Sequence, residues 1–196
     1  MDNDILYDMT SYEGVNKFEK DLLDNIRNTP WDKVLVIALC YINRQSFLCG
    51  EINKSIKIFS DGFIEDYLNK GWAVIDNKIE PYNIVNELDK IIPDGDESTG
   101  WEFDFVQNAL ISFLMFFDLA KKEKIELFVD VVSKVIDNLD VLWYEYGKPL
   151  GVDENRVFNK EIAIIINAIK DIKNKKHYSV SVSSLGSMNI NDVMNS

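Results

Sequence analysis

Histidine is almost absent from this 196-residue chain, with one at position 177, and there are only two cysteines, four prolines and nine glycines. One imidazole leaves little for a His-based metal centre. It also puts any base-assisted Ser or Cys catalysis on His177, which reads as a surface residue at the end of a lysine-rich helix. Two cysteines cannot frame a small disulfide-built domain. Cys40 and Cys49 permit a single bridge by parity, but Cys40 lies inside an apolar run, and two buried thiols in a reducing compartment are the simpler expectation. No Gly-x-Gly-x-x-Gly occurs and no glycine run precedes Lys-Ser/Thr, which removes the usual phosphate-cradling loops. The longest strongly apolar runs, Val34 to Cys40 and Ala109 to Phe117, fall short of the roughly 20 residues of a membrane span. The opening Met-Asp-Asn-Asp lacks the basic and apolar regions of a secretory leader, so a cytoplasmic location is expected. Basic residues are also scarce, 21 against 33 acids, and a net charge of -12 opposes binding to nucleic acid or to an anionic membrane.

Apolar side chain is plentiful: 46% of residues are hydrophobic and 12% aromatic, enough for one packed core. Apolar residues recur at three- and four-residue steps, and the fold class expected is an all-α, single-domain bundle of about six or seven helices. Val15, Phe18, Leu22 and Ile26 share one face of a first helix. Thr29-Pro30-Trp31-Asp32 then restarts the chain, with Thr29 as cap and Pro30 at the first helical position, into a nearly all-apolar helix reaching about Asn43. Ile52, Ile56, Phe59, Phe63 and Tyr67 predict a third helix running to Lys70 and closed by Gly71. Pro81 opens a short helix. Trp101 to about Lys122 and Ile125 to about Tyr146 form an antiparallel pair, and Asp153 starts a last helix ending near Lys175. Residues 1–176 make up this helical domain. The Ser-Val stretch in 177–196 reads as a flexible or docked tail, with strand pairing to a partner as a third option.

The chemistry candidates are few. In the loop Pro93 to Gly100, Asp94, Asp96 and Ser98 match the first, third and fifth positions of an EF-hand, but Thr99 and Phe105 stand where Gly and a bidentate Glu are required. Carboxylates at helical spacing, Asp61 with Glu65 and Asp137 with Asp140, could serve acid/base or metal chemistry and are more simply a solvated face or a binding patch. The aromatics of Trp101 to Phe105 and Phe113 to Phe117 could line a ligand pocket, although such spacings usually serve a core. Neither an enzyme nor a cofactor or metal is expected.

Charge is unevenly placed. Residues 61–104 hold twelve acids against Lys70, Lys78 and Lys90, a balance of -9 out of -12. An acidic field of that density suits a basic protein partner, while the plainer alternative is a face that maintains solubility. Trp72 and Trp101 lie among these acids and could serve as interface anchors if exposed.

The order Trp31-Asp-Lys-Val-Leu-Val-Ile-Ala-Leu-Cys40, Phe63-Ile-Glu-Asp-Tyr-Leu-Asn-Lys-Gly71, then Asp94-Gly-Asp-Glu-Ser and Asn108-Ala-Leu-Ile resembles the small all-helical immunity proteins of bacterial polymorphic toxin systems of the contact-dependent inhibition type. The stretch Trp31 to Glu145 is also similar to the all-α YjaG-like domain of unknown function. It departs from that pattern at Tyr41-Ile42, where a Glu-Arg pair would follow the cysteine. The resemblance implies stoichiometric binding of a cognate toxin, in this family often a nuclease and hence basic where it grips phosphate, without catalysis. On that expectation Asp94, Asp96, Glu97 and Glu102 pair with toxin Lys or Arg, Trp101 packs at the centre, and Asp61, Glu65 and Asp66 extend the surface. Two rivals make other demands: a self-associating YjaG-like protein predicts a homodimer, and a helical carboxylate site predicts bound metal.

Overall fold

The computed structural model describes residues 7–92, 100–174 and 185–195. Within them the chain is an all-α bundle with no strand: α1 (Tyr12–Ile26), α2 (Trp31–Ile56), α3 (Phe63–Ile75), α4 (Pro81–Ile91), α5 (Trp101–Lys122), α6 (Leu127–Leu142), α7 (Glu154–Asn174) and a short α8 (Ile190–Met194). The apolar periodicity therefore read the architecture correctly.

The central element is α2. Nine consecutive residues, Val34 to Ile42, are buried, because α3, α5, α6 and α7 all pack on it. Lys33 Nζ donates to the Ile172 carbonyl, and the buried Arg44 meets Glu161 through Nε–Oε1 and Nη2–Oε2 contacts of 2.7 and 2.9 Å, so α2 and α7 run antiparallel. Contacts of Tyr7 with Asn159, and of Asn25 with Lys173, set α1 parallel to α7. A buried polar chain fixes α2 against the α5–α6 pair. Gln45 donates to Ser112 at 2.8 Å, and Asn138 donates to Gln45 at 2.6 Å and to the Phe105 carbonyl at 3.0 Å. Such a network favours one register, since slipping it would strand buried polar groups.

Several boundaries differ from the spacing-based expectation. The first apolar helix does not stop near Asn43 but continues to Ile56, and the helix expected over Ile52 to Lys70 is interrupted. Lys57 turns left-handed (φ 53°, ψ 42°), and the buried Asn53 side chain clasps the reversal: its Nδ2 donates to the Phe59 carbonyl and its Oδ1 accepts from the Phe59 amide, both at 3.0 Å. Ile52, Ile56, Phe59 and Phe63 keep their helical spacing because all point to the same core while the chain bends between them. Gly71 does not close a helix. It lies inside α3, where a Cβ would come within 2.6 Å of Leu39 Cδ1, so its role is close approach to α2. Thr29 makes no capping bond either: its Oγ1 is buried without a partner, and Pro30 precedes the helix.

α5 and α6 form the expected antiparallel pair. α5 is long and apolar enough to cross a membrane by length and composition, with a mean hydropathy of 1.4 over its most apolar 18 residues, half of which are buried inside the bundle. Phe105, Phe113, Phe116 and Phe117 are fully buried, which places these aromatics in the core. α6 ends in a π turn, Trp143–Gly147, where Trp143 Nε1 donates to the Val152 carbonyl. Of the expected tail, residues 185–195 are docked: the Met188 amide donates to the Arg44 carbonyl at 2.7 Å, and Met188 and Val193 are buried, the latter against Gly147. Residues 177–184 and 196, with His177 and the Ser-Val alternation, lie outside the described residues.

Candidate functional site

Three of the eight surface residues expected from sequence, Asp94, Asp96 and Glu97, lie outside the described residues. The other five divide into two groups. Trp101 and Glu102 form the first turn of α5, where acids complement the positive helix end. Trp101 is partly buried, with its ring edge-on to Tyr146 at 5.4 Å between centroids. Burial first, then Glu145 and Glu102, raise the Tyr146 phenol above its ordinary value. Trp101 is thus braced by the π turn and not held out as a free anchor, and Trp72 is likewise partly buried against the core.

Asp61, Glu65 and Asp66 surround the start of α3. All three are exposed, and they face different neighbours. Asp66 pairs with Lys70 at 2.9 Å, and Lys70 also reaches Glu87 of α4 at 2.9 Å. That hydrogen bond from Lys70 is the main cause of the lowered Glu87 carboxyl pKa. Asp61 and Glu65 instead face the C-terminal half of α2. There Glu51 holds Lys54 at 2.6 Å, and the Lys54 ammonium is stabilised first by Glu51 and further by Asp61 and Glu65. Three carboxylates share one lysine. Tyr67, one turn beyond Phe63, meets Phe113, which lies twelve residues, about 18 Å of helix, beyond Trp101 along α5. The two groups therefore hang from different parts of the α5 axis.

Two residues missed by sequence reasoning share the Asp61–Glu65 groove, a hollow of about 180 Å³ between α2 and the start of α3. Phe47 is 69% exposed although it belongs to the most buried helix of the bundle, and Gly50 follows one turn later with nothing within 4 Å of where its Cβ would be. Of the three other exposed aromatics, two are covered by lysines, Tyr82 by Lys121 at 4.5 Å and Tyr144 by Lys148 at 4.1 Å, and the third, Tyr12, stands at the start of α1, outside this groove. Phe47 has no ring or cation contact among the described residues. An out-of-phase Phe in an apolar helix was the only local signal, and in a nearly all-apolar run it does not stand out.

A second, larger hollow of about 310 Å³ lies between α1, α6 and α7, with Phe18, Ile136 and Phe158 on its floor and Glu19, Asp140 and Glu154 among its walls. Burial is the main cause raising the Asp140 and Glu154 carboxyls above their ordinary values. Asp137, paired with Asp140 by spacing, is tied to Lys134. Among the described residues no group of three or more His, Cys, Asp or Glu side chains is arranged to hold a metal ion. Cys40 and Cys49 are free and buried, and burial pushes the Cys40 thiol up to about 12, which makes it a poor nucleophile at neutral pH.

Compared with known proteins, the chain matches no family model, no curated protein and no solved structure.

Proposed function

We propose that this chain is a non-enzymatic immunity protein that binds and neutralises a cognate bacterial toxin, a basic nuclease domain, through its acidic surface in the cytoplasm. The observation that carries the reading is where the charge remains unanswered. Within 61–104, Lys70 is engaged by Asp66 and Glu87, and Lys78 by Asp76, while Asp61 and Glu65 stand exposed beside a lysine already held by Glu51. A nuclease is basic where it grips phosphate, and a rigid helical face of carboxylates can occupy that surface in place of the nucleic acid. Binding of this kind requires no reacting group of its own. The resemblance of the Trp31 to Cys40, Phe63 to Gly71, Asp94 to Ser98 and Asn108 to Ile111 segments to small all-helical immunity proteins supports the same reading.

The test is co-expression of the chain with the product of the reading frame directly upstream. Rescue of growth from that product's toxicity, together with a one-to-one complex on purification, is the expected result. A chain that purifies as a homodimer, makes no such complex and gives no protection overturns the proposal.

A further inference from the structure

We propose that the groove between α2 and the start of α3 is the docking point for an arginine-bearing segment of a basic protein, with the guanidinium over Phe47 and between Asp61 and Glu65. This rests on the reading of the chain as a binder of basic proteins and names the place and the side chain. Four features converge there. Phe47 presents a bare aromatic face to solvent, unlike Tyr82 and Tyr144, each of which carries its own lysine. Gly50 lies inside the C-terminal third of a 26-residue helix, where glycine is the weakest ordinary helix former, and no neighbouring atom within 4 Å of its would-be Cβ calls for its small size. The space it leaves lies beside Phe47, on the outside of the bundle. Around that space Glu51, Asp61 and Glu65 outnumber Lys54 three to one, and Lys54 is already bonded to Glu51. A planar cation that stacks on a ring while its edge donates to carboxylates satisfies all four features, and arginine does this better than lysine because its charge is spread over a flat fork.

The experiment is a titration of the full-length ¹⁵N-labelled chain with nona-arginine at low salt, using nona-glutamate as control. Amide shifts are expected to centre on residues 46–54 and 60–66. Phe47→Ala, at an exposed position that leaves the core intact, is expected to weaken binding about threefold to thirtyfold. Asp61→Asn combined with Glu65→Gln weakens it about tenfold and flattens its salt dependence. Gly50→Gln fills the space and weakens binding while leaving the helical signal unchanged. Shifts centred on Trp101 and Glu102, shifts spread evenly over the acidic faces, no binding, or affinities unchanged by the Phe47 and Gly50 variants would each overturn the groove. Parallel mixing with the upstream product separates the two claims. A toxin complex unaffected by these variants removes the groove and leaves immunity standing, whereas groove binding of nona-arginine without a toxin complex removes immunity and leaves the groove.

Discussion

Arg44 and Glu161 make a bidentate ion pair at 2.7 and 2.9 Å, with 4% and 5% of each residue exposed, and the docked Met188 segment lies over the Arg44 backbone. Replacing Glu161 by Leu takes the bidentate carboxylate away from a guanidinium in a dry interior, which costs roughly 3–5 kcal/mol. Set against a total stability of about 5–15 kcal/mol, this is a large fraction, and for a chain of this size it corresponds to a fall in Tm of roughly 6–20 °C. The paired replacement Arg44→Met with Glu161→Leu removes both charges and keeps the volume, so it should lie within about 1 kcal/mol of the wild type or above it. Urea unfolding followed by helical circular dichroism would measure all three proteins. A loss below about 1 kcal/mol for Glu161→Leu would refute the dry environment assigned to the pair, because a solvated charge needs no partner. A double variant as unstable as the single would refute the claim that desolvation dominates.

Other consequences follow from the packing. Met188→Ala should cost about 2–5 kcal/mol in the same unfolding assay, because the buried side chain belongs to the core; a change below about 0.5 kcal/mol would mean that residues 185–195 do not dock in solution. Two helical glycines should respond in opposite directions: Gly50→Ala gains about 0.5–1 kcal/mol in open space, whereas Gly71→Ala loses about 1–2 kcal/mol because its methyl meets the fully buried Leu39. Asp140 has a carboxyl pKa raised chiefly by burial, so its ionisation opposes folding, and wild-type stability from this group declines as pH rises from the ordinary value through the raised one. Asp140→Asn should therefore stabilise at neutral pH, with the gain vanishing at pH below 3.8; a gain independent of pH would contradict that cause.

The helices that sequence read best are those whose ends carry local chemistry. α4 begins at Pro81 and α5 at Trp101, as expected, and α7 runs from Glu154 to Asn174 against an expected 153 to 175. The end of α2 was not legible because its cause is a local side-chain bond that leaves no mark in the apolar spacing. Asn53 terminates the helix by binding Phe59 across the turn, and no spacing rule distinguishes an asparagine that does so from one exposed on a surface. Likewise, nothing near Met188 or Val193 indicates that these residues return to cover Arg44 and Gly147, since burial of a polar-flanked methionine depends on a surface built by distant helices. The acidic concentration was legible as a total but not as geometry. Folding turns Asp66 towards Lys70 and Glu87, and Asp61 with Glu65 towards α2, so equal sequence neighbours acquire unequal partners. Trp101 stood out by residue type and turned out to be braced on Tyr146, while the exposed ring beside Asp61 and Glu65 was Phe47, hidden in sequence by the apolar run that surrounds it.

The most direct measurement of the central claim is the affinity between the full-length chain and the purified upstream product as a function of salt. Neutralisation through an acidic surface predicts a one-to-one complex that weakens about tenfold or more between low and high salt, chiefly through slower association. An affinity indifferent to salt, or a chain that pairs only with itself, would contradict it.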